Sequence, residues 1–283
     1  MTAVPPLIQA ARAREHLDDP GWVFVDCRFT LGDPAAGHAA FAAGHIPGAV
    51  HLDLERDLSG PVGPGTGRHP LPDPGVLADA LSRAGIGDGH TVVCHDDAGG
   101  AMAAARLWWL LRWLGHSRVT VLDGGLAAWR AAGGPFSADP TPTRAPATFT
   151  ARPRPELVAD TASVREAVAT GTGCLVDARA GERYAGRLEP IDPVAGHIPG
   201  ALSLPHTLLL RDDGTMRAPG TARALAACGD PAHMVAYCGS GVTAALLALA
   251  VVHATGTMPR LYPGSWSAWI TDPDRPIGTG ERP

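Results

Sequence analysis

One cysteine stands where an apolar segment, a glycine-rich loop and a second apolar segment meet. The apolar segment 234–237 is followed directly by Cys238. The next loop contains Gly239 and Gly241, and a second apolar run begins at Val242. Glycine has no Cβ, so backbone N–H groups of such a loop can turn toward the sulfur. The start of a helix adds the positive end of its dipole. Both effects favour a thiolate, and we predict that Cys238 is a nucleophile rather than an inert packed thiol.

The sequence around this loop is part of a duplication. Four blocks occur in both halves in the same order: 23–28 and 174–179, 44–49 and 196–201, 91–96 and 234–238, 123–129 and 263–269. Conserved order over four blocks indicates a duplicated domain, with a period too long for a solenoid. Asp96 corresponds to Cys238, so the first half lacks the nucleophile. His45 and His197 recur in both halves, and we therefore predict that they are structural turn residues.

The composition excludes several function classes. The 283 residues are 45% hydrophobic and 18% charged, with a net charge of −5, no lysine and no basic cluster. These values predict two globular domains and argue against nucleic acid as a partner. The sequence shows no signal peptide, no apolar run long enough for a membrane and no metal-ligand spacing. We expect no metal, no cofactor, no membrane association and a cytoplasmic location.

The remaining cysteines carry less information. Cys27, Cys94, Cys174 and Cys228 lie in or beside apolar stretches, and the total of five is odd with wide spacing. Such spacing is not typical of a disulfide framework. We predict four small core thiols in a reducing compartment.

Alternating apolar strands and helices predict an α/β fold, with parallel sheets covered on both faces. In the second half we expect helices at 161–170, 221–227 and 242–253, and strands at 174–176, 234–237 and 260–262. A Pro- and Thr-rich stretch, 139–155, predicts a linker between an inactive domain, 1–138, and a catalytic domain, 156–283. Ligands of open α/β domains bind beyond the carboxyl ends of strands, which is where Cys238 falls.

Four features of the chain belong together: the paired Gly-His-Ile-Pro-Gly-Ala motifs, the Asp that precedes Arg in each half, the cysteine loop and the closing segment 264–269. In this combination the chain resembles two-domain rhodanese-type sulfurtransferases over essentially its whole length. The resemblance implies two tandem rhodanese-like domains, each a parallel sheet flanked by helices. It also implies that Cys238 accepts a sulfane sulfur as a persulfide and passes it to cyanide or a thiol. Thioredoxin is a candidate acceptor.

The loop composition bears on the sulfur donor. Relatives that prefer thiosulfate resemble Cys-Arg-Lys-Gly-Val-Thr, whereas residues 238–243 read Cys-Gly-Ser-Gly-Val-Thr. This uncharged loop is similar to that of 3-mercaptopyruvate sulfurtransferases, whose donor carries one carboxylate. Charge-assisted bonds are strong in a desolvated pocket, so the loss of two cations should weaken binding of the thiosulfate dianion. We expect 3-mercaptopyruvate as donor, with thiosulfate:cyanide sulfur transfer as the alternative.

The resemblance further implies which residues bind the donor. Arg183 corresponds to the family's substrate arginine, and its planar guanidinium suits a carboxylate. A second substrate arginine has no aligned counterpart, and Arg187 is the candidate to replace it. The backbone of the loop would supply further contacts, from Gly239, Gly241, Val242 and Thr243.

A hydrogen-bonded chain of side chains is implied as well. Ser240 of the loop would pair with His69, which lies in an insertion of the first half, and with a carboxylate at Glu55. Asp53 is the neighbouring candidate for that carboxylate. Such a chain could protonate the enolate that leaves as pyruvate, or steady the carbonyl of the donor.

Two other function classes compete with this interpretation. A phosphatase on the same fold would need an arginine six residues after the cysteine, where this chain has Ala244. A non-enzymatic sulfur carrier or docking module is the alternative from another class. Such a module would relax the loop, whereas Cys238, Ser240, Gly241 and Thr243 all match the active pattern.

Overall fold

Each repeat of the sequence folds around its own parallel sheet. The structure, a computed structural model, describes residues 4–141, 144–217 and 221–281, the side chains of 222–224 aside. The chain divides into two compact units, and each is described by itself. Unit 1 comprises 1–60, 71–154 and 212–215, and unit 2 comprises 61–70, 155–211 and 216–283.

Unit 1 contains the sheet of the first repeat. Its strands are β1 (Leu7–Ile8), β2 (Trp22–Asp26), β3 (Val50–His51), β4 (Thr91–His95) and β5 (Val119–Leu122). Among the described residues they form one parallel sheet in the order β1-β5-β4-β2-β3. The helices are α1 (Ala10–Arg14), α2 (Ala36–Ala43), α3 (Pro74–Arg83), α4 (Ala103–Trp113) and α5 (Gly125–Ala131). Strand β4 is buried throughout, as a sheet covered on both faces requires.

Unit 2 contains the sheet of the second repeat. Its helices are α6 (Thr161–Thr170), α7 (Gly181–Tyr184), α8 (Ala222–Cys228), α9 (Thr243–Thr255) and α10 (Ser265–Trp269). Its strands are β6 (Cys174–Asp177), β7 (Leu202–Ser203), β8 (Met234–Tyr237) and β9 (Arg260–Leu261). In the described part of the unit they form a parallel sheet in the order β7-β6-β8-β9. The predicted elements are confirmed, with ends that differ by up to two residues.

The junction of β8 and α9 positions the cysteine loop. Strand β8 lies between β6 and β9, and all of its residues are buried. Helix α9 is apolar on every side and buried from Ala244 to Val251, so it is held firmly by packing. Cys238 therefore lies just beyond the carboxyl end of an interior strand. None of the described helices has the length and hydropathy that a membrane crossing requires.

Two short segments belong to the unit of the other repeat. Residues 61–70, from the first repeat, are part of unit 2, and 212–215 are part of unit 1. Gly67 permits the first exchange, because a Cβ there would lie 2.4 Å from the carbonyl oxygen of Gly264. The backbone N–H of Arg68 donates to Ser267 Oγ at 3.1 Å. The continuous domain ranges predicted from the sequence do not include this exchange.

Two of the four predicted core thiols are instead bonded to each other. Cys174 begins β6 and Cys228 ends α8, and their Cα atoms lie 5.3 Å apart in a disulfide. The prediction was wrong for this pair because 54 residues separate the two cysteines, a spacing that carries no disulfide signature. Cys27 and Cys94 are free and fully buried, as predicted.

Candidate active site

Cys238 is buried and held from both sides of its loop. Its side chain and backbone together are 2% exposed, and the N–H of Gly241 donates to Sγ at 3.1 Å. On the strand side, the N–H of Cys238 donates to Ser265 Oγ at 3.2 Å. The backbone of the loop thus supplies Sγ with a hydrogen-bond donor.

The loop is fastened to the start of α10 in a strained backbone conformation. The N–H groups of Trp266 and Ser267 donate to the carbonyls of Cys238 and Gly239, each at 2.9 Å. Ser265 has a φ of +54°, and within the described ranges no other residue except glycine has a positive φ. Unit 1 places Gly125 at the matching position with a φ of +55°. A serine kept in this conformation points to a positioning role for its hydroxyl, which the sequence analysis did not predict.

The structure brings His69 and Ser240 together. His69 Nδ1 lies 2.8 Å from Ser240 Oγ, and the two residues are 4% and 7% exposed. Both belong to unit 2, since His69 lies on the exchanged segment 61–70. This contact can relay a proton between the hydroxyl and the imidazole.

The third member of the predicted chain, Glu55, lies in unit 1 and is exposed. Its N–H donates to Asp53 Oδ1 at 3.0 Å, and that of Arg56 donates to the same oxygen at 2.8 Å. Asp53 is buried, and its carboxylate closes this turn. The structure gives Glu55 no side-chain contact in the described residues, and its role stays a prediction.

Arg183 lies at the cysteine loop, clamped by two carboxylates. Its Nε donates to Glu189 Oε2 and its Nη2 donates to Asp192 Oδ2, both at 2.9 Å. A Cβ built on Gly239 would lie 3.4 Å from Arg183 Nη2 and 3.5 Å from Nη1. The guanidinium therefore stands directly beside the residue that follows Cys238.

A second guanidinium at the loop belongs to Arg68, which the sequence analysis did not select. A Cβ on Gly239 would lie 2.9 Å from Arg68 Nη2, and Arg68 Nη1 donates to Asp192. Burial, reinforced by Arg183, lowers the pKa of Arg68, while the charge of Cys238 acts in the opposite direction. The available signal was its position next to His69, on the same inserted segment.

Arg187, the second predicted substrate arginine, is not brought to the loop. Its guanidinium donates to Glu281 at 2.9 Å, in a pair whose side chains are 57% and 79% exposed. Exposed pairs of this kind contribute little energy. The two arginines at the loop are thus Arg183, which was predicted, and Arg68, which was not.

Arg179 is a buried cation that fixes one of the carboxylates holding Arg183. Its Nη2 donates to Asp177 and to the carbonyl of Gly196, both at 2.6 Å, and Nη1 approaches Glu189 at 3.3 Å. Burial alone would lower the pKa of Arg179, but the charge and hydrogen bonds of Asp177 outweigh it, and the pKa is raised. The fixed cation holds Glu189, which in turn holds Arg183.

The matching loop of unit 1 shows what this backbone arrangement binds. Asp96 occupies the place of the cysteine and is 1% exposed. Its carboxylate accepts from four N–H groups at 2.7–3.1 Å, those of Ala98, Gly100, Met102 and Ala104. Burial raises the pKa of Asp96 and these four donors oppose that shift. The loop thus forms a cradle for negative charge, and in unit 1 a side chain of the chain itself fills it.

The two repeated histidines have equivalent contacts in the two units. His45 Nδ1 lies 2.8 Å from the carbonyl of Phe41, and His197 Nδ1 lies 2.8 Å from that of Tyr184. Contacts to backbone in both repeats agree with the predicted structural role. The described residues contain no cluster of three His, Cys, Asp or Glu side chains suited to a metal.

Comparison with known proteins places these features in a family. The model of the rhodanese-like domain matches residues 9–132 and 160–272. A Pseudomonas aeruginosa protein named "Probable 3-mercaptopyruvate sulfurtransferase" is 47% identical over 281 residues, covering 97% of this chain and 98% of its own. A Mycobacterium tuberculosis relative, SseB, carries a thiosulfate sulfurtransferase name and is 43% identical over 264 residues, 90% of each chain.

The fold is shared with solved structures as well. The crystal structure of SseA from Escherichia coli, a 3-mercaptopyruvate sulfurtransferase, superposes with a TM-score of 0.80 at 30% identity. The match covers 93% of this chain and all of SseA. With both repeats matched and the relatives aligned over at least 90% of its length, the chain belongs to the rhodanese family, as a member with two rhodanese-like domains.

Proposed function

We propose that the protein is a sulfurtransferase in which Cys238 takes a sulfane sulfur from 3-mercaptopyruvate and passes it on as a persulfide. The observation that carries the proposal is the convergence at one loop of the Gly241 N–H on Sγ and the guanidiniums of Arg68 and Arg183 beside Gly239. A nucleophilic sulfur and a site for a carboxylate are the two features that this donor needs.

In the first half-reaction, the Cys238 thiolate attacks the thiol sulfur of the donor. The new S–S bond forms as the C–S bond breaks, and the bonding pair leaves on carbon as the enolate of pyruvate, giving Cys–S–SH. The enolate takes up a proton to give pyruvate. We assign its delivery to Ser240 and His69, whose Oγ and Nδ1 atoms lie 2.8 Å apart.

Binding of the donor uses both side chains and backbone. Arg183 and Arg68 offer donors for the carboxylate, which suits the planar guanidinium. The amides of Val242 and Thr243 stand at the start of α9, where a helix lacks acceptors for its first N–H groups. By analogy with the N–H groups that hold Asp96 in unit 1, we assign them, with Gly239 and with the Gly241 N–H that donates to Sγ, to stabilising charge on the transferred sulfur.

In the second half-reaction, cyanide or a thiolate attacks the outer sulfur and releases the Cys238 thiolate. A thiol acceptor such as thioredoxin fits the cytoplasmic location expected from the sequence. The Cys174–Cys228 disulfide weighs against that location, because structural disulfides are uncommon in reducing compartments. A count of free thiols in protein from native cells tests whether this bond forms there.

Intact-mass measurement after incubation with 3-mercaptopyruvate tests the function. We expect a gain of one sulfur atom, about 32 Da, with release of one pyruvate. Cys238→Ser should abolish the adduct and turnover. Cys94→Ser, which changes a buried free thiol of β4, is the matched control and should retain both. An adduct that persists without Cys238 would overturn the assignment.

Thiosulfate is the second candidate donor, favoured by the two arginines at the loop and by the name of the mycobacterial relative. The same mass experiment with thiosulfate gives the same adduct but no pyruvate. A protein that forms no adduct with either donor would instead be the non-enzymatic sulfur carrier or docking module.

A further inference from the structure

Asp192 stands between the two guanidiniums of the donor site. Its side chain is 2% exposed, Oδ2 accepts from Arg183 Nη2 at 2.9 Å, and Oδ1 accepts from Arg68 Nη1. Its own N–H donates to Glu189 Oε1 at 3.1 Å. The carboxylate is therefore held by two partly buried arginines, and the backbone of Asp192 is held by Glu189.

The contacts of Asp192 leave other donors turned to the loop. Arg68 Nη2 and Arg183 Nη1 face Gly239, and in the described residues neither nitrogen has an acceptor. Arg68 Nε is buried and likewise has no acceptor within the described ranges. Asp192 thus occupies Arg68 Nη1 and Arg183 Nη2, and leaves Arg68 Nη2 and Arg183 Nη1 beside Gly239, the residue that follows Cys238.

The charges around the loop balance. Three arginines, Arg68, Arg179 and Arg183, are linked by ion pairs to three carboxylates, Asp177, Glu189 and Asp192. Without Asp192 the group would carry a net charge of +1. Because the site is largely desolvated, one unit of charge changes the attraction for a dianion more than for a monoanion.

We propose, on the basis of the function given above, that Asp192 determines the donor specificity of this enzyme. It holds Arg68 and Arg183 at the cysteine loop and cancels one of their charges, which matches the site to a thiol donor with a single carboxylate. The uncharged loop sequence alone does not set this preference, since the cations come from outside the loop. Asp192 acts through the arginines and is a positioning residue.

The ratio of kcat/KM for thiosulfate to kcat/KM for 3-mercaptopyruvate tests the proposal. Asp192→Asn keeps the shape but removes the charge, and we expect the ratio to rise by about tenfold with a steeper dependence on salt. Asp192→Glu keeps the charge and should leave the ratio within about threefold of the native value. Arg68→Met removes a cation and should lower the ratio. Glu166→Gln, on the exposed face of α6, is the control for a change of net charge alone.

The outcomes separate this inference from the proposed function. If the native protein forms no persulfide and no pyruvate, the proposed function fails. If the native protein turns over and Asp192→Asn lowers kcat/KM equally for both donors, Asp192 is a structural residue and the inference is overturned. A ratio that moves equally in Glu166→Gln would also overturn it. Thermal unfolding of each variant identifies any loss that is due to misfolding.

Discussion

His69 Nδ1 and Ser240 Oγ lie 2.8 Å apart, although the two residues are 171 positions apart in the chain. The contact exists because segment 61–70 leaves the first repeat and packs in unit 2. If this pair of side chains delivers the proton to the pyruvate enolate, its loss should slow turnover of 3-mercaptopyruvate and not of thiosulfate. The sulfite that leaves from thiosulfate takes up no proton on carbon.

We therefore expect His69→Ala to lower kcat with 3-mercaptopyruvate by about a hundredfold, within the usual range for general acid catalysis, and to change thiosulfate turnover far less. Ser240→Ala should give a similar loss, and the double variant should lose little more, because the two act as a unit. Single-turnover pyruvate release measures the effect. Equal losses with both donors would identify His69 as structural.

Gly239 leaves room for the guanidiniums of the two arginines beside it. A Cβ at this position would lie 2.9 Å from Arg68 Nη2, so Gly239→Ala should displace that guanidinium. We expect a rise in KM for 3-mercaptopyruvate of about tenfold with a smaller change in kcat, since a binding contact is lost.

The double variant with Arg68→Ala provides the control for this prediction. Without the guanidinium there is nothing for the new methyl group to displace, and the added cost of Gly239→Ala should fall to less than about twofold. If the two substitutions are additive, the methyl group acts elsewhere. Replacing Gly239 by arginine should likewise clash with the existing cations rather than add a useful one.

Ser265 combines a strained backbone with a hydroxyl that anchors the loop. Ser265→Ala keeps the positive φ and removes the bonds to the Cys238 N–H and the Tyr262 carbonyl, so it should lower the free energy of unfolding by about 1–3 kcal/mol. Ser265→Gly removes the same bonds but relieves the strain, and it should be the more stable of the two. Urea unfolding measures both. A kcat lowered equally in the two variants would assign the effect to the hydroxyl.

The sequence predicted what local patterns encode. The α/β elements follow from apolar periodicity, the place of Cys238 after a strand follows from its glycine-rich loop, and Arg183 was selected by the family resemblance. Arg68, Asp192 and the His69 contact depend on which unit residues 61–70 join, which requires long-range packing such as the approach of Gly67 to Gly264. Arg187 has the same residue type as Arg183 four positions earlier, and only the fold shows that it turns to Glu281. The disulfide likewise depends on the approach of α8 to β6.

The Cys174–Cys228 disulfide should stabilise unit 2 without taking part in sulfur transfer. It closes a loop with a sequence separation of 54 residues, for which the loop-entropy relation gives about 4 kcal/mol. We expect the double variant Cys174→Ser/Cys228→Ser to unfold at lower urea concentration and still form the one-sulfur adduct. Unfolding of the native protein with added reductant should reproduce the shift. Alkylation of the unreduced, unfolded protein should label three cysteines, and labelling of five would contradict the bond.

His95 makes stability depend on pH. Burial lowers the pKa of His95 from 6.5 to about 4, only partly opposed by Asp26, and neither ring nitrogen has a hydrogen-bond partner within the described residues. The unfolded chain binds the proton more readily, so this contribution is fully present above pH 6.5 and is lost as the pH falls toward 4. The shift corresponds to about 3 kcal/mol.

His95→Tyr copies Tyr237, the matching residue of β8, and should flatten the fall in the free energy of unfolding between these pH values. His253→Gln, at an exposed site of α9, is the control, and an unchanged slope in His95→Tyr would show that other groups cause it.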